Sequence, residues 1–373
     1  MNYETGPIRP PSEAESLFVR VNRNCPWNKC LFCPVYKKRK FSRRSLDEIK
    51  EDILSLKEAA DKVQSYAVKM GYSEVNRQVL ENVYRNEPDL LQIAFWMHRG
   101  GRNVFLQDAD SMIMDPGQLS EALSFLKEQF PRVERITTYA RSKTISKRSV
   151  SELEMLKDAG LTRVHVGMET GHDPLLEYMK KGVTSEEQVQ AGLLVKEAGL
   201  SLSEYILLGL GGQEWWKEHA LDTARMLSRI DPHFIRLRTL AVRKGIPLQE
   251  KIDAGEFKMQ DDDGLARELK LFLENLECNS YMISDHILNL LEEVEGQLPD
   301  DKPYLLGVVD RYLDMPDEKR ANYQLGRRLG YYRYMADMED QGRFQQMEEL
   351  RKQLLEKGQN QADFLREYIK QYV

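Results

Sequence analysis

Residues 16–41 read SLFVRVNRNCPWNKCLFCPVYKKRKF. The first eight hold a short apolar and β-branched run, the pattern of a strand. The strand runs into a loop carrying Cys25, Cys30 and Cys33 in a C-x4-C-x2-C arrangement. Three thiolates on a short loop can hold three corners of an iron–sulfur cubane. A [4Fe–4S] cluster normally takes four cysteines, so such a loop leaves one iron open to another ligand. Other readings stand beside this one. A structural zinc site wants four closed ligands, usually as paired C-x2-C units; here the second pair is missing, and His98, His165 and His172 are distant in sequence. An electron-carrying cluster or sensor would take Cys278 as its fourth ligand. Three buried structural cysteines grouped by chance are the remaining alternative.

Outward from this loop, short apolar runs alternate with amphipathic stretches as far as about residue 245. Candidate strands are SLFVRVNR (16–23), NVFLQDA (103–109), RITTYAR (135–141), RVHVGME (163–169), SLSEYILLGL (201–210) and HFIRLRTL (233–240). Helical patterns come after each of the first five, which signals βα units and a parallel sheet. Ser45–Glu48, Ser149–Glu152 and Thr184–Glu187 have capping-box spacing, in which hydroxyl and carboxylate satisfy orphan backbone donors. Asp173-Pro174 reads as an N-cap followed by proline at the first helical position. Gly160 and Gly199 each stand where a helix ends before a strand. Six such units predict an α/β fold, an open (β/α)6 partial TIM-type barrel over residues 1–260, with a helical insertion at about 64–99. Residues 261–373 read as a helical C-terminal region, interrupted near Gly296–Pro303 and Met315-Pro316, with Tyr331, Tyr332 and Tyr334 half buried.

Composition bounds the function classes. The chain has 373 residues, 41% of them apolar and 31% charged, a globular mixture rather than a disordered one. No run approaches the roughly 18 apolar residues of a membrane helix, and the first residues lack a secretory signal, so a cytoplasmic protein that does not enter the membrane is expected. A net charge of −6 gives no general attraction to nucleic acid. Four cysteines are too few for a disulfide scaffold.

The cysteine loop resembles that of the radical S-adenosylmethionine (SAM) superfamily, whose signature is C-x3-C-x2-C with an aromatic before the last cysteine. Phe32 occupies that aromatic position, and the first spacing is one residue longer, as in some branches of the superfamily. The resemblance covers roughly residues 16–245. It implies that Cys25, Cys30 and Cys33 ligate a [4Fe–4S] cluster whose open iron is chelated by SAM. A one-electron reductant such as flavodoxin or ferredoxin would drive cleavage to methionine and a 5′-deoxyadenosyl radical, which takes hydrogen from a substrate. The cofactors carry the difficult chemistry and the protein positions them, at the strand C-termini as in barrels generally.

The resemblance also implies roles for individual strand-end residues. After the second strand come Asp108 and Asp110, where relatives have a Gly-Gly-Glu-like turn contacting the SAM amino group; the glycines are absent, and a capped strand end is the alternative. Arg141 ends the third strand, either facing the cavity or solvated. The fourth ends VGMETG, with Glu169 at the position that accepts from the ribose hydroxyls in relatives. Twelve residues on, Lys181 stands where similar enzymes pair a basic group with the SAM carboxylate, although a lysine at a helix end also suits the helix dipole. In SEYILLGLGG, Gly209, Gly211 and Gly212 allow close backbone approach, and Ser203 or Tyr205 can reach the ribose. Arg236 and Arg238 share one face of the sixth strand and can meet the SAM carboxylate or an acidic substrate. Further on, Asp285, His286 and Asn289 are expected to converge on one helix face. Asp285 and His286 are the catalytic candidates, with an N-cap aspartate and helix-start histidine as the bland alternative. Cys278 is a hydrogen donor or an inert buried thiol.

What the sequence lacks narrows the field. A second iron–sulfur cluster needs cysteines beyond Cys278. Asp231-Pro232-His233 does not continue into the glycine of a D-x-H-x-x-G cobalamin pattern. A single-cluster enzyme with a small-molecule substrate is the expectation, and both a decarboxylation like that of coproporphyrinogen oxidase and a small-metabolite rearrangement are open.

Overall fold

The computed structural model describes residues 3–369. These divide into two compact units, one from residues 3–28, Lys38–Val166 and Gln190–Leu202, the other from Lys29–Lys37, Gly167–Val189 and residues 203–369.

In the first unit, β1 (Leu17–Arg20), β2 (Asn103–Gln107), β3 (Arg135–Ala140) and the start of β4 (Leu161–Glu169) run parallel. Leu17 stands opposite Val104, Asn103 opposite Arg135, and Tyr139 opposite His165. Phe18 meets Phe105 edge-on, with ring centroids 6.3 Å apart. The helix Leu46–Lys69 supplies Ile49, Ile53, Leu56, Ala60 and Val63, spaced three and four apart and all buried. Each fully buried aliphatic side chain contributes roughly 1.5–3 kcal/mol. The insertion is helical as expected, at Arg77–Asn86 and Leu91–His98, and the Trp96 indole donates to the Asn103 carbonyl at 2.8 Å.

An N-terminal strap that no sequence pattern announced is tied to this sheet. The Gly6 amide donates to Gln107 Oε1 at 2.7 Å, and Gln107 donates back to the Gly6 and Ile8 carbonyls. At the strap's other end, Ser16 and Arg135 both donate to the buried Glu13 carboxylate.

In the second unit, β5 (Ser201–Leu208), from Ser203 onward, pairs parallel with β6 (Phe234–Thr239). All six expected strands are present, and the βα alternation of the expected α/β class with them. The unit then departs from expectation. SYMISDHILNLL is not a helix: Tyr281–Ile283 is a strand, β7, parallel to β6, and Gly296–Gln297, β8, is antiparallel to it. Asp285, His286 and Asn289 therefore sit on a loop rather than on a helix face. The physical reason lies in Ser284 and Asn289, whose side chains compete with helical backbone bonding: Ser284 Oγ donates to the Leu291 carbonyl at 2.8 Å, and Asn289 Nδ2 donates to the Leu237 carbonyl at 2.9 Å.

The three capping boxes form, with Thr184 and Glu187 exchanging bonds at 3.1 and 3.3 Å. Asp173 is not an N-cap: the helix Asp173–Tyr178 has His172 there, and Asp173 accepts instead from the Ser185 amide and hydroxyl. Of the tyrosines expected half buried, Tyr332 is fully buried and stacked on Tyr323, while Tyr331 and Tyr334 are exposed. No helix of the described residues is long and apolar enough to cross a membrane.

Candidate functional site

The cysteine loop passes from one unit to the other between Asn28 and Lys29. Cys25, Cys30 and Cys33 are half exposed and form no disulfide, whereas Cys278 is buried. In the first unit the Asn28 amide donates to Cys25 Sγ, 3.4 Å away. In the second, the Leu31 amide donates to the Met179 carbonyl at 3.0 Å and the Leu248 amide to the Leu31 carbonyl at 3.2 Å, so the backbone between Cys30 and Cys33 is pinned on both sides. Leu31 and Phe32 are buried with Leu175, Met179, Leu210 and Leu240, and both cysteines pack against this cluster. Apolar residues hold this stretch of the loop, with Cys30 and Cys33 partly exposed at its edge. That donor set fits an iron–sulfur cubane, which takes one soft thiolate per iron. Among the described residues no three His, Cys, Asp or Glu side chains are grouped as a single ion would need.

Lys181 Nζ lies 5.8 Å from the centre of the Phe32 ring and 3.0 Å from Glu169 Oε1. The structure thus brings together the two residues offered as SAM contacts and the aromatic beside the last cysteine. Glu169 adopts φ +66°, the left-handed region. A Cβ on Gly167 would come within 2.5 Å of Glu169 Oε1, so this glycine makes room for the pair. Glu204, buried nearby, is a group that the sequence reading missed. Burial pushes its carboxyl well above the usual range, with Lys181 lowering it and Glu169 raising it. An acid inside an otherwise apolar strand was the available signal.

The glycine turn after β5 is built against the helix Asp262–Asn275. The Gly209 amide donates to Glu268 Oε1 at 2.8 Å, and His219 Nε2 lies 3.4 Å from the same oxygen. His219 Nδ1 lies 2.8 Å from Thr170 Oγ1, one residue after Glu169. Gly209 has φ +84°, and a Cβ on Gly211 would lie 2.8 Å from the Trp215 backbone. Ser203 faces β6, where it accepts from Arg236 Nε at 3.1 Å. Arg236 and Arg238 both bond Asp285, at 3.1 and 2.8 Å. His286 stays on that loop, its pKa lowered to about 4 by desolvation first and by Arg238 second.

The first unit holds the remaining candidates. Asp108 is fully buried, 2.5 Å from Arg20 Nε and packed under Gly6. Asp110 is also buried and accepts from Thr144 Oγ1 at 2.5 Å; desolvation raises it to about 6 against the bonds from Thr144 and Arg141. The Arg141 guanidinium lies 5.1 Å over the Trp27 ring, two residues beyond Cys25.

Comparison with known proteins agrees with the resemblance read from the loop. Residues 19–224, more than half of the chain, match the family model described as the radical SAM superfamily. An uncharacterised protein of Methanocaldococcus jannaschii is 26% identical over 113 residues, which are 30% of this chain and 34% of that one. A tRNA uridine(34) acetyltransferase of the same organism is 28% identical over 109 residues, 29% of this chain and 20% of its own length. The chain thus spans about a third or less of these curated relatives. Among solved structures, methylornithine synthase superposes with a TM-score of 0.44 at 17% identity, covering 73% of this chain and 66% of that one. The family match at residues 19–224 takes in the cysteine loop and the strand ends through β5: this chain belongs to the radical SAM superfamily.

Proposed function

We propose that Cys25, Cys30 and Cys33 hold a [4Fe–4S] cluster and that the chain acts on a small-molecule substrate through bound SAM. Membership in the superfamily itself supports SAM-cleaving radical chemistry in general; the cluster ligands, the SAM contacts and the substrate are the proposal. The observation that carries it is the contrast among the cysteines, three half-exposed thiols close together in sequence and a fourth buried and distant. Loaded with cluster and SAM, the site would supply one-electron cleavage of the sulfonium and a 5′-deoxyadenosyl radical that removes hydrogen from substrate.

The chain's own groups divide the remaining work. Glu169 accepts from vicinal ribose hydroxyls, while Lys181 holds it and puts a positive charge beside the SAM carboxylate. Glu268 fixes the Gly209 turn by accepting its amide, and so sets the course of the chain after β5. Phe32 and its apolar neighbours keep water from beneath the loop. A flavodoxin- or ferredoxin-like reductant would deliver the electron in a cytoplasmic setting. The net charge of −6 favours a small substrate over a polyanion such as tRNA.

The test is anaerobic reconstitution with iron and sulfide, then dithionite and SAM. Formation of 5′-deoxyadenosine that disappears in the Cys25→Ala, Cys30→Ala and Cys33→Ala proteins, and survives in Cys278→Ala, is expected. A redox-active cluster that never cleaves SAM, or one lost with Cys278, overturns the reading.

A further inference from the structure

Arg236 and Arg238 extend from one strand toward a single carboxylate, Asp285. Arg236 is 5% exposed, Arg238 13% and Asp285 28%, so two largely desolvated cations share one counter-ion that reaches solvent. The other nearby groups do not balance the excess. His286 is neutral at physiological pH, its Nδ1 accepting from the Leu288 amide at 3.3 Å. Arg327 is matched by Glu292 at 2.9 Å. Arg238 has spent Nη1 on Asp285 and on the Leu237 carbonyl, and its Nη2 is buried with no hydrogen-bond partner. A guanidinium donor left unused in a dry place costs the full desolvation of that group. The Tyr205 ring faces both cations, its centre 4.9 Å from Arg238 and 6.0 Å from Arg236.

We infer that Arg236 and Arg238 form a receptor for a carboxylate group of the substrate, with Asp285 keeping the two forks aligned until it is filled. The excess of one positive charge matches a monoanion, and a planar guanidinium with a free donor suits bidentate carboxylate recognition. The depth suits a substrate. Leu240 packs on the apolar cluster of the cysteine loop; Arg238 and Arg236 lie two and four residues back along β6, about 7 and 13 Å at the rise of a strand. An anion held there stands apart from the loop by that length of strand. This inference rests on the radical SAM reading for the word substrate, but the receptor itself does not.

The test uses the full chain without cluster and two fluorine-bearing probes, trifluoroacetate and monofluorophosphate, followed by ¹⁹F NMR line width. Saturable broadening of trifluoroacetate is expected, at least tenfold weaker in Arg238→Met and not displaced by SAM. Asp285→Asn, which frees both guanidiniums without shortening a core side chain, should tighten the probe about threefold or more and carries the test should Arg238→Met fail to fold. Absence of saturable binding, equal binding in Arg238→Met, or no tightening in Asp285→Asn overturns the receptor. Saturation by monofluorophosphate alone would make it a phosphate site, and displacement by SAM would give it to the cofactor; either overturns the inference. Formation of 5′-deoxyadenosine by the reconstituted protein is read separately, so failure of the radical reading and failure of the receptor are distinguishable.

Discussion

Lys181 Nζ and Glu169 Oε1 stand 3.0 Å apart, joining a strand-end carboxylate and a lysine just past the next helix that the sequence offered as separate contacts. With Glu204 pushed toward its protonated form close by, the group has one cation and one carboxylate in charge balance. The pair is 14% and 18% exposed, dry enough for the Coulomb attraction to matter.

Gly167 lets this pair be broken without removing either charge. A methyl there would lie 2.5 Å from Glu169 Oε1, the far end of a flexible side chain, so Glu169 swings away while the backbone stays. Gly167→Ala should weaken SAM binding tenfold or more, measured calorimetrically on the reconstituted protein, and cost only about 1 kcal/mol of stability, within the usual range for overpacking. Unchanged SAM affinity would remove the pair from the SAM site.

Glu268 should behave as a positioning residue. Its carboxylate is buried and accepts the Gly209 amide at 2.8 Å, with His219 at 3.4 Å. Glu268→Ala strands the Gly209 amide and the Gln260 side chain that also donates to this carboxylate, and should cost about 1–3 kcal/mol in chemical denaturation. Glu268→Gln keeps an acceptor for Gly209, so it should retain most of that stability and raise the KM for SAM with kcat little changed. A kcat loss at unaltered KM would contradict this role.

Asp110 makes the first unit's stability pH-dependent in an unusual direction. Burial raises its folded pKa from 3.8 to about 6, so the folded chain holds a proton that the unfolded chain releases. The stability from that protonated form is present below pH 4 and is lost as pH rises through 6. The upper bound is about 3 kcal/mol, from 1.36 kcal/mol per pKa unit. Asp110→Asn, which needs no proton to stay neutral, should be more stable than the parent at pH 7.5 and lose the advantage at pH 4 in urea titrations. Parallel curves for the two proteins would refute this.

The fold was readable where local chemistry decided it. Strand alternation, Ser45 and Ser149 with their glutamates, and the βα rhythm all express periods of two or 3.6 residues and backbone donors that must be met. The cysteine loop was readable because thiolate spacing is itself the chemistry. The features that escaped depend on long-range pairing. The Asp285 loop reads as helical because Leu288, Leu290 and Leu291 fit that period, but Asn289 spends its amide on Leu237, 52 residues upstream. Asp108 looks available from sequence, yet Arg20, 88 residues before it, takes its carboxylate. Glu268 and Glu204 carry no motif; only burial marks them.

His286 offers the last check, because its environment opposes its ordinary chemistry. Desolvation and the Arg238 cation lower it from 6.5 to about 4, with Asp285 resisting and Arg327 assisting. The folded chain then binds fewer protons than the unfolded one between pH 6.5 and 4, so the histidine's contribution is complete above 6.5 and lost as pH falls through that window. His286→Gln should flatten stability against pH there by up to about 3 kcal/mol, at 1.36 kcal/mol per unit. In ¹³C-labelled protein the His286 ring should titrate with a midpoint near 4. At pH 7 it is therefore neutral, with Nδ1 taken by Leu288 and Nε2–H left as a donor. It can orient or hydrogen-bond a substrate but carries no charge to give up, so the activity profile between pH 6 and 8 should show no step that His286→Gln abolishes.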